Sequence, residues 1–126
     1  MTSLTLSILP DTFAICRLAP HSAIPSWVTA SNFFSITRTP DEQSIVCRQS
    51  AVPNEIRSER DWRCLQVNGP LDFSLTGILA SLAAPLANAG ISIFAISTFD
   101  TDYLLVKEND LAKAIDILRQ AGHKVQ

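Results

Sequence analysis

An excess of charge of either sign is the first thing this sequence lacks. Ten Lys and Arg face twelve Asp and Glu, for a net charge of −2, so nothing in the balance directs the chain to nucleic acid or to an anionic membrane. Histidine is limited to His21 and His123. Neither has a Ser or Cys partner nearby in sequence, which leaves nucleophilic catalysis without a visible base. The three cysteines, Cys16, Cys47 and Cys64, are widely spaced in apolar runs. They show neither zinc-ligand nor thioredoxin-like spacing and are expected as buried thiols in a reducing compartment. With four glycines there is no Gly-rich phosphate loop. No window approaches the ~20 apolar residues that span a bilayer, and the N-terminus lacks the basic and apolar regions of a signal peptide. These absences leave the expectation of a soluble, cytoplasmic non-enzyme without metal or cofactor.

What is present is a core-forming composition: 47% hydrophobic and 17% charged residues over 126 positions, enough for one ordinary domain or two very small ones. The most informative stretch runs from Gly90 to Val106. Ile91–Ile96 and Tyr103–Val106 are apolar and rich in β-branched residues, and the polar hexapeptide Ser97–Asp102 between them carries turn-forming hydroxyls and carboxylates. The pattern predicts a hairpin of two mostly buried strands with polar groups at its tip. Ahead of it, Leu75, Ile78, Leu79, Leu82 and Leu86 recur at helical spacing. Asp72 or Ser74 is placed to cap that helix and Gly90 to end it, while Pro85 is expected to bend its last turn or cost a hydrogen bond near Ser81. Leu111, Ala114, Ile115 and Leu118 predict a second helix, and His123–Val125 a short final strand. With a strand over Trp62–Asn68, the order is βαββαβ, the plan of a ferredoxin-like domain.

The N-terminal half reads as a reduced version of the same plan. Leu4–Leu9 and Phe13–Leu18 predict two strands separated by a turn at Pro10-Asp11, followed by a short helical segment around Pro25–Thr29. Phe33–Arg38 and Gln43–Arg48 predict a hairpin across Thr39–Glu42. The polar stretch Ser50–Asp61, interrupted by Pro53, is expected to connect the halves. The two halves match in their order of elements and share little sequence. The division predicted is 1–58 and 59–126, with the leading strand free to pair across that boundary.

Ala84-Pro85-Leu86-Ala-Asn-Ala-Gly90-Ile91, followed by Ile96-Ser97-Thr98-Phe99-Asp-Thr-Asp102, resembles the ACT-domain family, in particular its tandem CASTOR-type branch. Ala14–Leu18, Thr39–Cys47 and Ser58–Arg63 resemble bacterial members of that branch, so the likeness covers nearly the whole chain. The resemblance implies an α+β fold of two ferredoxin-like ACT modules with their sheets side by side, the N-terminal one reduced or irregular. It also implies a non-catalytic regulatory or sensor role, with a free amino acid bound at the module interface. A homodimer or a regulated enzyme is the implied protein partner.

By the same resemblance the ligand-binding residues are Ser44, Ile45 and Val46 from the N-terminal module. From the C-terminal one they are Asp72, Gly77, Ile78, Thr98, Phe99, Thr101 and Asp102. The chemistry of these types suits an amino acid. Backbone amides at a helix start receive a carboxylate, Asp102 receives an ammonium or guanidinium, and Phe99 covers an aliphatic stem. Each residue also has a plain structural reading. Gly77 then permits tight helix–sheet packing, Asp100 and Asp102 bond their own turn, and Ser44–Val46 are sheet core. The chain departs from arginine-binding members at Leu75, where they carry an acid, and at Asp72, where they carry glycine. Those departures leave a smaller or more apolar amino acid as an equal expectation. The alternative function is a protein-interaction module without a small ligand, docking through exposed Trp27, Phe33 or Phe34.

Overall fold

The computed structural model describes residues 3–72 and 76–126. Its strands are β1 (Thr5–Leu18), β2 (Ser35–Arg38), β3 (Gln43–Arg48), β4 (Ser58–Val67), β5 (Ile93–Ser97), β6 (Asp102–Lys107) and β7 (Lys124–Val125). Among the described residues two α-helices, α1 (Ile78–Asn88) and α2 (Leu111–Gln120), follow β4 and β6 respectively. The class is α+β, as the sequence implied. By contact the chain divides into one unit of Met1–Pro10 with Arg63–Gln126 and another of Asp11–Trp62. Both β1 and β4 supply residues to each unit.

The first unit carries β4, α1, β5, β6, α2 and β7 in the expected βαββαβ order, and it also takes the leading segment of β1. Its strands lie in the order β7, β1, β4, β6, β5. The leading segment is held there by Lys124 N–H donating to Leu4 O at 2.8 Å and Gln126 N–H to Leu6 O at 2.8 Å, and on its other side by Asn68 N–H to Thr5 O at 2.8 Å. Ile78, Leu82 and Leu86 of α1 recur at every fourth position, and Ala114 and Leu118 of α2 do the same. They close over Leu4, Leu6, Leu65, Val67, Leu104 and Val106 to form the unit's core. Fully burying one such aliphatic side chain stabilises by roughly 1.5–3 kcal/mol. At the end of α1, Ile91 N–H reaches back to Leu86 O at 3.0 Å, with Gly90 at φ +76° making the reversal.

In the second unit β2, β3 and the later part of β1 are neighbours, followed by the start of β4. Phe13–Leu18 pairs antiparallel with Gln43–Arg48, and β2 pairs with β3 across the predicted Thr39–Glu42 turn, closed by Thr39 N–H to Glu42 O at 2.9 Å. Ala14, Cys16, Val28, Ile45, Cys47 and Val52 form its core. Phe33 meets Phe13 edge to face with centroids 5.4 Å apart. Trp27 and Phe33 are half-buried, whereas Phe34 is exposed.

Three expectations change. The predicted turn at Pro10-Asp11 is absent, and β1 runs unbroken through it. Pro10 is exposed, and its missing N–H falls between the segment paired with β7 and the segment paired with β3. The polar connection ends early, because Ser58–Asp61 already belongs to β4, with Arg17 N–H donating to Arg57 O at 3.0 Å just ahead of it. Finally, α1 begins at Ile78 with Gly77 at its N-cap position, so Asp72 does not occupy that position. Ser74 and Leu75, also assigned to this helix start, lie outside the described residues.

Candidate functional site

The loop after β4 and the tip of the β5–β6 hairpin meet at one place. In the hairpin, Ser97 pairs with Asp102, leaving four residues to turn. Thr98 N–H donates to Thr101 O at 2.8 Å, and the Thr98 hydroxyl donates to the same oxygen at 3.0 Å. Thr101, only 6% exposed, points its hydroxyl to Val67 O at 2.6 Å, and Leu71 N–H donates to Asp100 O at 2.7 Å. The hairpin tip is therefore tied by two bonds to the segment that leaves β4. Gly69 lies in this junction. A Cβ there would come within 3.1 Å of Asp100 O and Leu71 N and 3.2 Å of Thr101 Cβ, so a side chain fits only if these neighbours give way by a few tenths of an ångström.

The junction borders an open cavity of about 190 Å³ lined by Leu71, Asp72 and Ile78 and by Ser97–Asp102. That volume corresponds to about six waters of liquid. Three carboxylates line it, Asp72, Asp100 and Asp102, and among the described residues no Lys, Arg or His does. Asp102 is half-buried at the start of β6, while Phe99 is 79% exposed. Ile78, at the first turn of α1, forms part of the lining, which brings the N-terminal end of the helix and its positive dipole end to the cavity. A second cavity of about 330 Å³ shares Thr98, Asp100 and Thr101 and is otherwise lined by Gln66, Gly69, Pro70 and Tyr103. Burial first, then Cys64 and Asp100, raises the Tyr103 phenol above its ordinary range.

Of the residues singled out by sequence, Asp72, Ile78, Thr98, Phe99, Thr101 and Asp102 share this lining. Gly77 does not line the cavity. It is exposed at φ +75°, and a Cβ added there would meet nothing within 4 Å, so backbone conformation rather than close packing calls for glycine. Ser44, Ile45 and Val46 lie on β3 of the second unit, with Ile45 and Val46 buried. Leu71, Ser97 and Asp100 complete the cavity wall and were not among the predicted contacts. Only Asp100, a carboxylate inside the turn, carried a signal for it. Among the described residues no group of three or more His, Cys, Asp or Glu side chains is placed to hold a metal ion, and no helix is long and apolar enough to cross a membrane.

Comparison with known proteins bears on this site. The model for the ACT domain matches residues 57–120, and a model for the N-terminal domain of another family matches residues 11–55. The human cytosolic arginine sensor for mTORC1 subunit 1 is 37% identical over 114 residues, covering 82% of this chain and 34% of that protein. Its bovine counterpart is 32% identical over 108 residues, covering 71% and 33%. The chain thus spans about a third of the length of the curated relatives it matches. Among solved structures, an Agobacterium tumefaciens protein is 44% identical with a TM-score of 0.95, covering all of this chain and 94% of the other. The ligand-free regulatory subunit of aspartate kinase from Thermus thermophilus shares the fold at 17% identity, with a TM-score of 0.63 and coverage of 92% and 96%.

Proposed function

Because the chain belongs to the ACT-domain family, we propose that it is a non-catalytic regulatory protein that binds a free amino acid in the cavity beneath the β5–β6 hairpin tip. One observation carries the reading: a carboxylate, an aromatic ring and a helix N-terminus converge on a single cavity, through Asp102, Phe99 and Ile78. An amino acid needs those three things. Its carboxylate takes the first backbone amides and the dipole of α1, its ammonium takes Asp102 in a charge-assisted bond, and Phe99 covers the side chain, losing its own exposure to water. Asp72 and Thr101 border the ligand, and Gly77 sets the entry of α1.

The finer assignment adds Ser44, Ile45 and Val46, so that the effector is held at an interface of two ACT modules, 1–58 and 59–126. Curated relatives named as arginine sensors support an amino acid as the class. The acid-lined cavity accommodates a cationic one, while the departure at Leu75 keeps smaller amino acids in the set to be tested. The protein acts in the cytoplasm and transmits occupancy to a second copy of itself or to a regulated enzyme.

A thermal-shift panel of the twenty amino acids tests this. A true effector at about a hundred times its Kd adds about 2.7 kcal/mol of stability, and Asp102→Ala removes the shift while leaving the fold intact. If none of the twenty shifts the transition and the protein associates with rising concentration, the interaction-module reading replaces this one.

A further inference from the structure

We infer that the second, larger cavity at the β5–β6 tip is a ligand site in its own right, one that takes a small organic amine carrying no anionic group. Strand alternation builds it. On β4, Gln66 stands between Leu65 and Val67, and on β6 Tyr103 precedes Leu104. Leu65, Val67 and Leu104 are buried in the core that α1 and α2 close, so Gln66 and Tyr103 project from the opposite face of the sheet. β4 and β6 are neighbours, which gathers these two half-buried side chains on one patch of that face. Gly69 and Pro70 from the loop after β4 and Asp100 from the hairpin tip complete the lining. The first cavity includes Ile78 of α1, whereas among the described residues no helix residue lines this one.

The chemistry of the lining selects a cation. Both of its threonines are already committed: the Thr101 hydroxyl donates to Val67 O at 2.6 Å and the Thr98 hydroxyl to Thr101 O at 3.0 Å. Recognition therefore falls to Asp100, Tyr103 and Gln66. Among the described residues no Lys, Arg or His lines the cavity, so an anionic group entering it would meet the Asp100 carboxylate with nothing to offset the repulsion. An ammonium meets three suitable groups. Asp100 accepts a charge-assisted hydrogen bond, Tyr103 offers a π surface, and the Gln66 carbonyl oxygen accepts a further N–H. Asp100 and Tyr103 are within electrostatic reach of each other, since the Asp100 charge adds to burial and Cys64 in raising the phenol. Pro70 and the Tyr103 ring supply apolar surface for a short carbon chain, and about 330 Å³ is the volume of about eleven waters of liquid.

Because the cavity is open, the amine keeps part of its hydration, and the binding expected is millimolar rather than micromolar. The inference stands whether or not the first cavity takes an amino acid. Asp100 lines both cavities, but Gln66 and Tyr103 line only the second and Asp102 only the first, so substitution separates them.

The experiment titrates the isotope-labelled full chain with putrescine, a diamine, and in parallel with succinate, a dianion of the same carbon number, and follows the Tyr103 backbone amide and the Gln66 side-chain amide by NMR. Putrescine should shift both saturably, and succinate should shift neither. Asp100→Asn, which keeps the turn preference of this position, should raise the Kd for putrescine about tenfold. Gln66→Leu should weaken binding as well, while Asp102→Ala should leave the Kd within about twofold of wild type. Shifts that never saturate overturn the inference, as do equal shifts from succinate. Putrescine shifts confined to Asp72 and Asp102, or binding lost in Asp102→Ala and kept in Asp100→Asn and Gln66→Leu, overturn it too. The titration is read on the wild-type chain, so a variant that fails to fold does not remove the test. A saturable putrescine shift beside a silent amino-acid panel would strike the first site and leave this one standing.

Discussion

The imidazole Nε2 of His123 stands 3.4 Å from the carbonyl oxygen of Ser81, the acceptor that Pro85 deprives of its intrahelical donor. The other ring nitrogen, Nδ1, accepts the Leu4 N–H at 3.1 Å. That acceptance fixes the neutral tautomer with its proton on Nε2, facing Ser81. One buried side chain, 4% exposed, thus satisfies a helix carbonyl and the start of β1 together.

Removing the ring orphans both groups. We expect His123→Ala to destabilise the fold by about 1–3 kcal/mol, read as a shift of the urea midpoint. In a Pro85→Ala background the Ser81 carbonyl regains an N–H partner, so the same change should cost less. A double-mutant cycle measures the difference. Strictly additive costs would show that the ring does not serve Ser81.

Two glycines near the site should respond differently to alanine. At Gly69 the new Cβ meets backbone atoms at 3.1 Å, so the tip of the hairpin has to shift. Gly69→Ala should lower stability and weaken any effector-induced thermal shift. At Gly77 a Cβ meets open space, and the cost is the φ of +75° alone, about 1 kcal/mol. Its urea midpoint should drop slightly, with the fold and its circular dichroism retained.

Asp61 holds φ at +68°, the one non-glycine with positive φ among the described residues. A reciprocal clamp keeps it there. Asp61 N–H donates to Gln49 Oε1 at 2.6 Å, and Gln49 Nε2 donates to Asp61 Oδ1 at 3.0 Å. Gln49→Ala should cost about 1 kcal/mol. Asp61→Asn, which keeps the acceptor oxygen and tolerates the left-handed region, should lie within about 0.5 kcal/mol of wild type.

Alkaline pH should weaken the fold through Cys64. Its buried thiol is pushed up to about 12, whereas the ordinary value is 9.0. The unfolded chain therefore releases this proton first, and stability present below about pH 9 is lost progressively as pH rises toward about 12. Tyr103 and Cys47 are raised as well and act in the same direction. Urea midpoints taken from about pH 8 to about pH 11 should fall less steeply in Cys64→Ala than in wild type. Equal slopes would count against the burial argument.

Much of the first unit was legible because local and tertiary preferences agree there. The hairpin from Ile93 to Lys107 combines β-branched runs with a turn sequence, and the α1 and α2 stripes repeat at helical spacing. The misreadings occurred where neighbouring strands overrule local chemistry. Pro10-Asp11 reads as a turn until pairing partners on either side keep it extended. Ser58–Asp61 reads as a connection until β1 supplies hydrogen bonds to it. The start of α1 was hidden because Asp72 and Ser74 are good capping residues, whereas Gly77 marks the boundary by its backbone conformation. Asp102, Phe99 and Thr98 were identified by resemblance, but Leu71 and Ser97 join the cavity only through folding. The link from His123 to Ser81, 42 residues apart, has no trace in sequence order.

The hydrogen bonds from Lys124 to Leu4 and from Gln126 to Leu6 set an order of events during synthesis. Leu4 and Leu6 leave the ribosome more than a hundred residues before their partners on β7. Until translation has passed Gln126, that flank of the nascent chain stays open, so a ribosome stalled within α2 would display Leu4 and Leu6 to chaperones and proteases.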